Sequence, residues 1–311
     1  MNDAININNK NVKISVMINT YNEETHIYDC LSCVTWADEV ILVDMYSEDK
    51  TVEIAQTFSN VKIFYHEKCG YVEPARQFAL TKVTNDWVIM LDADERVSLS
   101  TIKHIRQIIY TNETDVIYLP RYNFVMGELL YCGYQSNDSL PRCFKKNFIN
   151  FTPIIHKLED VLSNARVTKI NRSYNTNNPS NPTNITQYIG ILHFATDGFE
   201  IRMDKLNRYT TIEAINIYEH KKKNITMWRI LFNYPYRLLG NIIWRKGYKQ
   251  LRHQFILLTT QLFYELATYA KFYYMNKYKS IEYADKINES YDNISKQLVA
   301  EYNESKHEDK S

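Results

Sequence analysis

Four short apolar runs within the first 95 residues constrain this chain more than any other feature. They span residues 13–19 (KISVMIN), 39–43 (EVILV), 61–65 (VKIFY) and 86–91 (DWVIML). Their length and β-branched content mark them as buried strands rather than amphipathic ones. Segments of helical pattern lie between them, over residues 23–35, 52–58 and 76–83. Strands alternating with helices at this spacing imply βαβ units, hence an α/β domain with a Rossmann-like, mostly parallel sheet flanked by helices.

Ligands of such sheets bind beyond the carboxyl ends of the strands. Three of the four strands end there in polar or acidic residues: Thr20-Tyr21-Asn22-Glu23, Asp44, and Asp92-Ala93-Asp94-Glu95. One acidic strand end is commonplace, because Asp also caps helices. Three on one rim indicate a site. Two carboxylates one residue apart can hold a hard divalent cation through oxygen, and Mg²⁺ or Mn²⁺ so held can bridge a diphosphate leaving group. Asp44 can accept hydrogen bonds from a ribose or a base edge, and Arg76 can reach a phosphate or stack on a base.

Composition excludes several alternatives. The 37 basic residues balance 36 acidic ones, so no global charge draws the chain to nucleic acid. Seven glycines and neither GxGxxG nor GxxxxGK[ST] disfavour the dinucleotide and P-loop modes of phosphate binding. The polar opening MNDAININNK has no signal-peptide core, and no apolar run reaches the roughly 18 residues of a membrane span. Five cysteines, an odd number, suit reduced thiols and a cytoplasmic location. Cys30 and Cys33 form a CxxC, but without a second pair they read as core residues of a helix.

With these residues in view, the chain resembles the inverting glycosyltransferases of family 2, whose fold is called GT-A. It is most similar to their lipopolysaccharide core β-glucosyltransferase-like branch. ISVMINTYNEETHIYDCLSCVTWADEVILVDMYSEDKTVEIA carries the resemblance at the start, and RQFAL with DWVIMLDADERV continues it. Leu119 to Phe124, Pro141 to Lys145, Ile155-His156, His193-Phe194 and Lys205 to Thr210 extend it to about residues 13–275. The resemblance implies that Thr20, Tyr21 and Glu23 line the base and ribose of a nucleotide sugar, with UDP the expected nucleotide. It places Asp44 on the nucleoside and Arg76 near the base or diphosphate. Asp92, Ala93 and Asp94 become a DxD motif that binds Mn²⁺ or Mg²⁺, with Asp94 the more direct ligand. A hexose would pass with inversion to a saccharide or glycolipid hydroxyl.

Inversion needs a general base at the acceptor. The branch carries an Asp four residues before the Arg of an R-x-F motif, which here is Asp138 ahead of Arg142-Cys143-Phe144; Glu95 and Glu159 come next. Two departures concern substrate identity more than reaction class: Lys157 follows His156 where the branch has Glu, and Tyr46 stands in a loop the branch makes small.

The expected organisation is a disordered N-terminus over 1–12, a catalytic domain over 13–198 (nucleotide half 13–110, acceptor half 111–198), a helical region over 199–277 and a charged tail over 278–311, read as a frayed helix or tail. Residues 171–184 read as a loop, and His193 either binds metal or diphosphate or is a satisfied buried histidine. Phe255, Leu258, Leu262, Leu266 and Tyr269 mark one apolar helix face. Residues 227–244 are aromatic and basic, and Pro235, Gly240 and Gly247 interrupt any single long helix there. They suit either packing or peripheral membrane association. A non-catalytic sugar-nucleotide-binding protein and a sugar nucleotidyltransferase are the alternative functions, the second set back by the lack of a glycine-rich phosphate loop.

Overall fold

A computed structural model describes residues 12–68, 73–151, 160–172, 187–196, 198–220 and 226–308. The N-terminal expectation, His156, Lys157, Glu159 and most of the 171–184 loop lie outside them. The chain divides into two units, ending and beginning at Phe199 and Glu200.

In the first unit, β1 (Ile14–Thr20), β2 (Glu39–Asp44), β3 (Val61–Tyr65) and β4 (Trp87–Asp92) are parallel neighbours in the order β3-β2-β1-β4. Helices α1 (Ile27–Ser32), α2 (Thr51–Ala55) and α3 (Glu73–Lys82) connect them, and α4 (Leu99–Tyr110) follows the short β5 (Glu95–Val97). Because successive side chains point to opposite faces, each strand feeds two cores. Val16, Ile18, Val40, Leu42, Ile89 and Leu91 join Ile102, Ile105 and Ile109 of α4. Met17, Ile41, Val43, Val88 and Met90 join Ala75, Ala79 and Leu80 of α3. Burial on both faces explains why these runs are continuously apolar.

The sheet continues through the long β6 (Val116–Val125), which β7 (Glu128–Leu129) pairs as a short hairpin. β8 (Ser139–Lys145) runs antiparallel between β4 and β6. β9 (Ile149–Asn150) and β10 (Asp160–Val161) form a separate pair, and β11 (Val167–Lys169) lines the outer half of β6. β12 (Ile191–Thr196) lies parallel to β6 and antiparallel to β5.

Helix α1 starts four residues later than its sequence pattern suggests. Residues 22–24 are instead clasped to the loop after β2: Glu23 N donates to Thr51 Oγ1 at 2.8 Å and Glu48 N to Asn22 Oδ1 at 2.8 Å. Asn22 takes a left-handed conformation to allow this.

The second unit consists of α5 (Phe199–His220), α6 (Met227–Ile243), α7 (Leu251–Tyr278) and α8 (Tyr283–Glu308). Two sequence expectations are corrected here. Pro235 does not break α6; Pro235 and Leu231, whose carbonyl loses its amide partner, both sit on the exposed side. Of the frayed helix or tail expected at the end, Tyr283–Glu308 form a 26-residue helix, α8, built without glycine or proline. The inward face of α7 is turned from the expected one: Gln254, Leu257, Leu258, Thr268 and Met275 are buried, while Phe255 is exposed. A buried bond from Asn241 Nδ2 to Gln254 Oε1 (3.1 Å) and an Arg237–Glu265 ion pair explain that rotation, because α6 packs on this side.

Candidate active site

The parallel register fixes the rim. Thr20 is paired with Asp44 across β1 and β2, and Asn19 with Asp92 across β1 and β4. The two acidic strand ends therefore flank the end of β1. Thr20 Oγ1 and Asn19 Nδ2 are buried there without a hydrogen-bond partner among the described residues. Orphaned polar atoms at a strand-end rim fit a polar ligand.

The rim residues have separate tasks. Asp44 is fully buried, and its carboxylate accepts from Ser47 N (2.8 Å) and Ser47 Oγ (2.5 Å). It therefore shapes the loop after β2 rather than presenting an open carboxylate to a nucleoside. Tyr46 in that loop has positive φ and stacks on Tyr65 at 5.5 Å, mostly in solvent. Lys68 Nζ lies 3.8 Å from the centroid of the Tyr21 ring. Ala93 is buried, its small side chain in the core and its carbonyl accepting from Arg96.

Asp92 is gripped by two arginines. Arg76 Nη2 lies 2.6 Å from Oδ1 and Arg142 Nη2 2.8 Å from Oδ2. Burial alone would push this carboxyl up, but the two guanidiniums outweigh it and hold the group far below the usual carboxylate range. With both oxygens engaged by cations, Asp92 is poorly placed to ligate a metal.

From Asp92 a polar chain runs across the sheet. Arg142 Nη2 also reaches Glu95 Oε1 at 2.9 Å, and Glu95 Oε2 accepts the Asp92 amide at 3.0 Å. Arg121 Nη1 approaches the same Glu95 oxygen at 3.6 Å, and its Nη2 reaches Asp138 Oδ2 at 3.0 Å. Burial pushes the Glu95 carboxyl up, against Arg142 and aided by the charge on Asp92. Fully enclosed, Glu95 organises arginines and is not open to a substrate, which removes it as a candidate base.

Asn123 completes the chain. Its Nδ2 donates to Asp138 Oδ2 (2.9 Å) and to the Gln135 carbonyl (2.6 Å), which fixes the amide orientation. Its Oδ1 then accepts from His193 Nδ1 at 2.7 Å, which turns Nε2 toward Asp94 Oδ2, 3.5 Å away. A divalent cation shared by Asp94 and His193 would stabilise that arrangement, and the amide behind His193 is the kind of support that orients metal-binding histidines. Among the described residues no group of three or more His, Cys, Asp or Glu side chains forms a ready metal cage. Two protein ligands nevertheless suit Mg²⁺ or Mn²⁺, which commonly complete their coordination with water and phosphate oxygens.

Asp138 sits between Arg121 and Asn123 through Oδ2 alone. Its side chain is 30% exposed, and Oδ1 has no hydrogen bond among the described residues. Arg121, Arg142 and Asn123 carry no assigned role in the sequence reading. Their available signal was a charged or amide side chain inside an apolar strand, as in Leu140-Pro141-Arg142-Cys143, since such groups are buried only with partners. The CxxC reading as core is consistent with a buried Cys30 whose thiol is pushed up by burial.

Strand-end carboxylates on a mostly parallel sheet flanked by helices are the arrangement expected of a GT-A fold. The glycosyl transferase family 2 pattern matches residues 15–164. A glycosyltransferase of Rickettsia typhi is 31% identical over 68% of this chain and 70% of its own length. The lipopolysaccharide core biosynthesis glycosyltransferase LpsC of Rhizobium meliloti is 23% identical over 86% of this chain and 94% of its own. Among solved structures, Staphylococcus aureus TarS 1–349 in complex with UDP-GlcNAc aligns over 91% of this chain and 92% of that one, with 16% identity and a TM-score of 0.45. The chain belongs to glycosyl transferase family 2 and is a glycosyltransferase. Membership decides against the nucleotidyltransferase alternative.

Proposed function

We propose that this glycosyltransferase moves a hexose from a UDP-sugar to a hydroxyl of a saccharide or glycolipid, with inversion at the anomeric carbon. The observation that carries the reading is the double engagement of Asn123, which orients His193 beside Asp94 and holds Asp138 in place. An inverting transfer needs a group that eases departure of the diphosphate and a base on the opposite face of the sugar. One amide organises both.

In this reading Asp94 and His193 would hold Mn²⁺ or Mg²⁺, which would supply positive charge against the diphosphate. Thr20, Tyr21 and Glu23 line the nucleoside side of the rim, and Arg76 lies at its phosphate end. Asp92 anchors Arg76 and Arg142 and leaves cation binding to Asp94. Asp138 Oδ1 accepts the proton of the acceptor hydroxyl as that oxygen attacks the anomeric carbon and the bond from this carbon to the diphosphate breaks, releasing UDP. Oδ2 keeps its bonds to Arg121 and Asn123, so the carboxylate is held while it works.

The test is nucleotide release from UDP-, GDP- and TDP-hexoses with Mn²⁺ and a panel of saccharide acceptors, with NMR of the new linkage. Release from a UDP-hexose with an inverted anomeric centre is expected. A product of retained configuration, or no release from any donor, would contradict the reading.

A further inference from the structure

The second unit carries an aromatic and aliphatic stripe on α6. Its inner face packs on α7 through Asn241, Tyr234 and the Arg237–Glu265 pair. Its outer face shows Trp228 (65% exposed), Leu231, Phe232 (75%), Tyr236, Leu239 and Ile243, with Trp244 (71%) just beyond the helix end. These positions recur at three- and four-residue steps and fall on one side of a helix about 25 Å long. Trp228 and Phe232 stack on each other, and Tyr236 meets Trp244 edge-on. Water-exposed aromatic rings in such a row mark a surface that meets something else.

Charge around the stripe says what. From His220 to Tyr264 the sequence contains no Asp or Glu but nine Lys and Arg residues, although the whole chain is nearly neutral at +1. Arg245, Lys246 and Arg252 are exposed just past the α6 end, and Tyr248 and Leu251 extend the exposed apolar surface among them. Basic residues beside an exposed aromatic face fit a surface that is apolar beneath and anionic on top. No helix among the described residues is long and apolar enough to cross a membrane.

We infer that α6 and the turn after it form a peripheral docking surface for an anionic lipid bilayer. The stripe enters the interface between headgroups and acyl chains, and the basic cluster binds the lipid phosphates. This inference rests on the second unit alone and holds whatever the donor and acceptor are.

Co-sedimentation of the full chain with vesicles tests it, using phosphatidylcholine alone and equal parts phosphatidylcholine and phosphatidylglycerol. The expected result is binding to the anionic vesicles that weakens as salt is added, and little binding to the neutral ones. A Phe232→Ser/Trp244→Ser double variant should bind the anionic vesicles about tenfold more weakly or less, with unchanged melting temperature. An Arg245→Gln/Lys246→Gln variant should lose salt-sensitive binding in the same way. Equal or absent binding to both vesicles, or wild-type binding by the aromatic variant, would overturn the inference. So would a lowered melting temperature of that variant without a loss of binding, which would show that the stripe packs on protein. A wild-type dimer that the aromatic variant dissociates would assign the surface to a second copy instead.

Discussion

Arg142 Nη2 lies 2.8 Å from Asp92 Oδ2, and the arginine that supplies it is 1% exposed on an antiparallel strand next to the parallel half of the sheet. That ion pair ties β8 to the strand that delivers the DxD stretch, and through Glu95 it reaches β6. Asp92 at the strand-end rim and Asp138 ahead of β8 are therefore joined by side chains as well as by backbone pairing.

Removing Arg142 should be costly. Arg142→Met leaves the fully buried Glu95 short of its nearest counter-charge, and breaking a buried pair from one side costs about 3–5 kcal/mol. Urea unfolding should show a loss of that order, partly restored in Glu95→Gln/Arg142→Met. A single-variant loss below about 1 kcal/mol would mean that the pair is dispensable.

Gly190 guards the entry to β12, the strand that carries His193. It sits at φ +150°, and an added Cβ would stand 2.3 Å from the Pro120 carbonyl oxygen and 2.9 Å from the Tyr122 ring. Gly190→Ala should destabilise the protein by about 1–3 kcal/mol and lower turnover by shifting His193. Thermal melting and initial rates measured together check both effects.

Much of this was legible in the residues. The strands at 13–19, 39–43, 61–65 and 86–91 declare themselves because burial on both faces leaves no polar position to blur the pattern. The DxD stretch follows from where the last of them ends. Two things were not legible. The roles of Asp44 and Asp92 depend on partners 3 and 50 residues away, Ser47 and Arg142. The late start of α1 depends on a clasp to a loop distant in sequence.

Acid should expose a second buried carboxylate. Burial would raise Glu39, but bonds from Ser15, Thr84 and Lys62 outweigh it and hold the carboxyl at about 2, below its ordinary 4.5. A depressed folded value contributes stability that is present above pH 4.5 and lost as the pH falls toward 2. The shift corresponds to at most about 3 kcal/mol. Glu39→Gln should be less stable at neutral pH and should flatten the stability profile across that window, as followed by urea midpoints.

Asn123→Ala should loosen His193 and Asp138 together. Groups that support metal-binding histidines typically matter by 10–100-fold, so turnover should fall by about that factor while the melting temperature changes little. Supplementing with excess Mn²⁺ should recover only part of the loss, because Asp138 remains unsupported.

The division of labour between Asp94 and Asp138 is tested most directly by measuring UDP-sugar binding and turnover in Asp94→Asn and Asp138→Asn side by side. Asp138→Asn should bind the donor like the wild type and lose about 10²-fold or more in turnover, the scale of a lost general base. Asp94→Asn should lose the Mn²⁺-dependent part of donor binding as well. Wild-type turnover in Asp138→Asn, or donor binding in Asp94→Asn that responds to Mn²⁺ as the wild type does, would contradict the account.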